Sequence, residues 1–83
     1  MSKDLEKIYE EAIENDKPYF AAHFAEYNNL GQDRVKGAAA GAVAEEFRDE
    51  NYETGKEIGR KFGLEEDKID SIFHGQFLEE ELL

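Results

Sequence analysis

Apolar residues recur along the chain at three- and four-residue intervals. Leu5, Ile8, Tyr9, Ala12 and Ile13 fall at i, i+3, i+4, i+7 and i+8, a single stripe on a helix. Ser2 is a good N-cap and Asp4 sits in the first turn, so the spacing predicts a helix from about Lys3 to Ile13. Asn15-Asp16-Lys17-Pro18 breaks it, with Asp16 placed to cap a second helix that carries Pro18 in its first turn. On this second helix Phe20, Phe24 and Tyr27 share a face, and Gly31 offers a left-handed stop. Residues 1–31 are expected to form a helical hairpin.

A third, central helix is expected over 33–50, capped by Asp33, with Val35, Ala39, Ala42, Val43 and Phe47 on one face. Its first half, Gly37-Ala38-Ala39-Ala40-Gly41-Ala42, is nearly bare of side chains. Each glycine in a helix interior costs about 1 kcal/mol relative to alanine, so the close approach of another helix is the expected compensation. Thr54-Gly55-Lys56-Glu57 has the spacing of a capping box and marks the start of a fourth helix, with Ile58 and Phe62 inward and Gly63 at its end. A fifth begins just after Leu64, where Ile69, Ile72, Phe73 and Phe77 recur at helical spacing, and 79–83 form an acidic tail. No stretch has the alternation of a strand. The pattern predicts an all-α protein, a small single-domain bundle of about five short helices whose last two, over 54–78, form a helix-turn-helix-like pair.

That pairing rests on an ordered set of positions: Ile58, Gly59, Phe62, Gly63, Leu64, Ile69 and Ile72. The set resembles the helix-turn-helix of DNA-binding domains, in which a small residue lets two helices cross and a glycine four residues later makes the turn. The resemblance makes Gly59 the crossing residue, Gly63 the turn, and Ile69 and Ile72 the lock. Gly37, Gly41, Gly59 and Gly63 are accordingly the expected close-packing glycines. The stretch from Gly59 to Ile72 also resembles the second and third helices of death domains, helical modules that bind proteins through charged faces. Further helices follow the motif in that family, so the likeness concerns the way two helices turn rather than membership.

Charge changes what such a pair can do. The 83 residues carry 21 Asp+Glu against 10 Lys+Arg, a net charge of -11. A charge of this sign disfavours polyanions and speeds encounter with basic surfaces. The helix that would enter a DNA groove opens with Glu65-Glu66-Asp67, where a DNA-binding counterpart touches bases and phosphates. The only basic patch, Lys56, Arg60 and Lys61, is too small to carry DNA binding alone. At the same time 40% of residues are hydrophobic, far too many for a disordered acidic tail.

Catalytic and metal chemistry finds little support. Asp70 and His74 lie at i, i+4, but two ligands do not make a metal site, and His23 sits beside Phe24 on a packing helix. The two serines, Ser2 and Ser71, have no base nearby, and there is no nucleotide-binding loop. With no cysteine there is neither a disulfide nor a thiolate ligand. No cofactor, metal or catalytic residue is expected, no apolar run approaches a membrane span, and the expected location is cytoplasmic. The expected function is that of a non-enzymatic acidic module, binding or inhibitory, that engages a basic surface of a partner protein. Nucleic-acid mimicry, as practised by small acidic proteins of phages and mobile elements, is one form of it. The candidate contact residues are Glu65, Glu66, Asp67, Asp70, Phe77, Glu79, Glu80 and Glu81. A DNA-binding regulator and a self-associating assembly subunit, such as a homodimer, are the alternatives.

Overall fold

The computed structural model describes the backbone of residues 2–82 and the side chains of residues 4–75. Its described residues form five helices and no strand: α1 (Ser2–Glu14), α2 (Pro18–Tyr27), α3 (Gln32–Arg48), α4 (Tyr52–Lys61) and α5 (Glu66–Leu82). The chain is a small all-α domain, and no described helix is long and apolar enough to cross a membrane.

The first four helices end in one way. At the close of α1 the Lys17 amide bonds the Ala12 carbonyl at 2.8 Å and Asp16 bonds Ile13 at 3.1 Å. The same pair of bonds recurs after α2 (Leu30 to Ala25, Asn29 to Glu26), α3 (Asn51 to Glu46, Glu50 to Phe47) and α4 (Leu64 to Gly59, Gly63 to Arg60). This is the Schellman arrangement, which satisfies carbonyls left over at a helix end and needs one residue in the left-handed region. Asp16, Asn29, Glu50 and Gly63 are those residues, with φ of 60°, 54°, 65° and 84°. Only the last is a glycine.

These turns move several expected boundaries. Asp16 closes α1 and does not cap α2, which instead begins at Pro18 after Lys17, without a side-chain cap. Asn29, not Gly31, supplies the left-handed stop, and Gly31 precedes α3 with φ 108° while Asp33 lies within its first turn. Thr54-Gly55-Lys56-Glu57 is interior to α4 and makes no capping box. Asn51 completes the turn after α3 and its carbonyl already accepts the Gly55 amide at 2.9 Å, so the helix is under way two residues before Thr54.

The core is built around α3, against which α2, α4 and α5 all pack. Val35, Ala38, Ala39, Ala42, Val43 and Phe47 of α3 are buried, joined by Phe62, Leu64 and Ile69 from the α4–α5 region. From α2 the buried residues are Ala21, Ala22 and Ala25. Alanine thus meets alanine across the α2–α3 contact, and such small side chains let two helices approach at the short end of the usual 8–10 Å range. A ring at this contact would force the axes apart. The aromatic face of α2 is therefore the outer one. Below it α1 adds Ala12 to the core, and the Tyr9 hydroxyl donates to the Arg34 carbonyl at 2.8 Å. Burial pushes the Tyr9 phenol above its ordinary range, against an opposing pull from Arg34, which keeps the donating proton in place.

The glycines divide by what a Cβ would meet. At Gly59 it would lie 2.8 Å from Ile69 Cδ1, so α4 crosses α5 closely there. At Gly55, outside the expected close-packing set, it would lie 2.6 Å from the Phe47 ring. Gly41 stands 3.3 Å from the Pro18 ring by the same measure. Gly37 is exposed and would meet only the Tyr9 hydroxyl at 4.0 Å, so no helix crosses there. Gly63 is favoured by its positive φ, not by packing. Gly55→Ala and Gly59→Ala should each lower stability by about 1–3 kcal/mol through overpacking. Gly37→Ala should raise it by about 0.5–1 kcal/mol through helix propensity. Urea titrations of the three variants check both signs, and a destabilising Gly37→Ala would disprove the open-face assignment.

Candidate partner-binding surfaces

The acidic residues that open α5 stand on the surface. Glu65, Glu66, Asp67 and Asp70 are all exposed, but they are not equivalent. Arg60, in the last turn of α4, forks onto Glu66 with Nε to Oε2 and Nη2 to Oε1 both at 2.9 Å. This bidentate pair spans the α4–α5 turn. Its hydrogen bonds hold the Glu66 carboxyl below the ordinary carboxylate range and raise the Arg60 guanidinium further. Glu65, Asp67 and Asp70 form no ion pair among the described residues, whose only other pair is Arg34 with Glu6 at 3.0 Å. Phe77, Glu79, Glu80 and Glu81 lie outside the described side chains.

Two of the three residues of the basic patch are engaged within the chain. Arg60 is held by Glu66, and the Lys61 ammonium lies 5.7 Å from the centre of the Tyr19 ring and 5.9 Å from that of Phe62. It also donates to the Tyr19 hydroxyl at 3.3 Å. His23 completes this corner, edge-on to Tyr19 at 4.5 Å and to Phe62 at 4.9 Å. The histidine is a packing residue between α2 and the end of α4. Beside this corner, an open cleft of about 440 Å³ is lined by Tyr19, Glu46, Thr54, Glu57, Ile58 and Lys61. A second, of about 380 Å³, runs from Lys36, Gly37 and Ala40 of α3 to Gly63, Leu64 and Lys68. The described residues contain no group of three or more His, Asp or Glu arranged to hold a metal ion.

Comparison with models of protein families, with curated proteins and with solved structures gives no match to this chain.

The outer face of α2 is the other prominent one. Phe20 is 51% exposed and Tyr27 87%, while Phe24 is partly covered and stacks on Phe20 at 5.8 Å between centroids. In a chain with 37% charged residues, α2 holds a single formal charge, Glu26. Sequence periodicity placed these rings together correctly but could not say which way they face. The alanines at 21, 22 and 25, spaced to match Ala38, Ala39 and Ala42, were the available signal.

A carboxyl pair links the first turn to the central helix. Asp16 and Glu45 line the same cleft of about 180 Å³. Partial burial, then repulsion from Asp16 and a hydrogen bond with it, raise the Glu45 carboxyl above its ordinary range, with Asp49 adding to the shift and Arg48 opposing it. Folded Glu45 thus keeps its proton to higher pH than unfolded Glu45. The stability it contributes is complete below the unfolded value and is lost as pH rises through the folded one. Asp16→Asn keeps a residue suited to the left-handed region and removes the repulsion. It should raise stability near neutral pH by about 0.2–0.5 kcal/mol, the scale of like-charge neighbours on a helix surface. The gain should shrink as pH falls into the carboxylate range; thermal melts of both proteins across that range check it, and a constant difference would exclude the coupling.

Proposed function

We propose that this chain is a non-enzymatic, acidic protein-binding module that engages a basic surface of a partner protein. The observation that carries the reading is the state of the charges at the start of α5: Glu65, Asp67 and Asp70 are exposed and without an ion pair among the described residues, whereas Glu66 is neutralised by Arg60. Unpaired carboxylates keep their field for a partner, and rim charges of this kind act mainly on the rate of encounter. Binding of duplex DNA is disfavoured on the same ground. The bases nearest the turn, Arg60 and Lys61, are occupied by Glu66 and by the Tyr19 and Phe62 rings, so few cations remain to neutralise phosphates.

The pairing also decides which residues a test should change. Glu66→Lys would set two cations against each other and disturb the turn itself, so reversal belongs at Glu65, Asp67 and Asp70. A triple reversal to Lys should leave helix content unchanged. As an affinity bait in host lysate it should lose the protein that the unaltered chain captures at low salt. With that partner purified, the association rate should fall about tenfold or more and lose its salt dependence. Equal capture by both baits, unaffected by salt, would reject this surface, and sub-micromolar binding to random duplex DNA that weakens with salt would reject the reading as a whole.

A further inference from the structure

We propose that the cleft between α3 and the α4–α5 turn binds a small organic carboxylate with a short apolar body. This goes beyond the acidic surface on α5 and calls for a ligand of the opposite charge. The cleft, of about 380 Å³, falls within the size range of small-molecule sites. Two cations meet there. Lys36 and Lys68 stand on different helices, and the packing of α5 on α3 brings both to one opening. In a chain with 21 acids to 10 bases, both are exposed and neither forms an ion pair among the described residues.

Much of the remaining lining is apolar or bare. Ala40 and Leu64 supply hydrocarbon surface, and Gly37 and Gly63 leave their backbone uncovered. A Cβ at Gly63 would meet only the Lys36 Cε, at 4.0 Å, so the lysine stem reaches across to the turn and walls the cleft. Glu65 stands at the same opening. Two ammonium groups against one carboxylate leave a single positive charge, which suits a monoanion better than a phosphate dianion. A ligand carboxylate there would accept charge-assisted hydrogen bonds from the lysines while its apolar body covered Ala40 and Leu64. Because the cleft is open, part of the ligand stays in water, and the affinity is modest, about millimolar.

Octanoate is the probe, titrated into the full chain and followed by calorimetry and by amide chemical shifts. The expected result is saturable binding at about 1 mM, with shifts centred on Lys36, Ala40, Leu64 and Lys68. Octylamine and acetate, each lacking one half of the chemistry, should bind about tenfold more weakly or not at all. Lys36→Gln with Lys68→Gln should weaken octanoate about tenfold or more. Lys7→Gln with Lys17→Gln, an equal change of net charge elsewhere on the surface, should not. Ala40→Leu should fill the cleft and abolish binding with helix content unchanged. Failure to saturate overturns the proposal, as does octylamine or acetate binding as well as octanoate. Octanoate binding that is indifferent to both the lysine pair and Ala40→Leu overturns it too. The α5 reading stands or falls separately, because Glu65→Gln should strengthen octanoate binding and weaken capture of a basic partner.

Discussion

The contact on which the rest of the structure depends is the one between alanines of α2 and α3. Ala21, Ala22 and Ala25 lie fully buried against a helix whose own buried positions include Ala38, Ala39 and Ala42. Each methyl contributes little by transfer out of water, on the order of 0.8 kcal/mol. What the contact gains comes from the close approach of two backbones, and that approach excludes large side chains. Rings that elsewhere would fill a core are displaced to the rims. Tyr19 and His23 close over Phe62 at one edge of α2, and Phe20 and Tyr27 are left outside. The bulky part of the core is then supplied by Phe47, Phe62, Leu64 and Ile69, with Gly55 and Gly59 making room for Phe47 and Ile69.

The turns follow the same economy of space. Four successive helices end in one hydrogen-bonding pattern, and each pattern hands the chain to the next helix within a few residues. Leu30 and Leu64, the residues just past two of these ends, fold back on the core, Leu64 buried and Leu30 partly so. This fixes the direction in which α3 and α5 leave their turns. The Arg60–Glu66 pair reinforces the last turn from the solvent side, so the α4–α5 corner is held by Leu64 within and by a charged fork without.

Helix number, class and the α4–α5 crossing at Gly59 were legible from periodicity, because 3.6-residue spacing and a glycine followed by a turn are local signals. Three other features were not. Asp16, Asn29 and Glu50 take the left-handed position that sequence reasoning assigns to glycine, since the hydrogen bonds of the turn and the neighbouring packing outweigh the local preference. Gly55 reads as part of a helix start, yet Gly55, Ile58, Gly59 and Phe62 stand at i, i+3, i+4 and i+7, a core stripe in which Gly55 has no side chain to mark its place. The inequality of the acids at the start of α5 depends on Arg60, six residues before Glu66 and on another helix. Pairing across a turn of that kind leaves no periodic trace.

The attachment of α1 sets how the domain opens. Ala12 is its one buried residue among those described, Ile8 and Ile13 remain 41% and 43% exposed, and its reach to α3 runs through the Tyr9 hydroxyl and the Glu6–Arg34 pair. A helix held by so little separates from the rest at lower free energy than the α3-centred layer unfolds, so amide exchange along α1 is governed by its own detachment and that of Val43 by global unfolding. While α1 is away, the Arg34 carbonyl regains water and the flank of the alanine seam becomes accessible. Tyr9 then acts as a latch between the first helix and the central one.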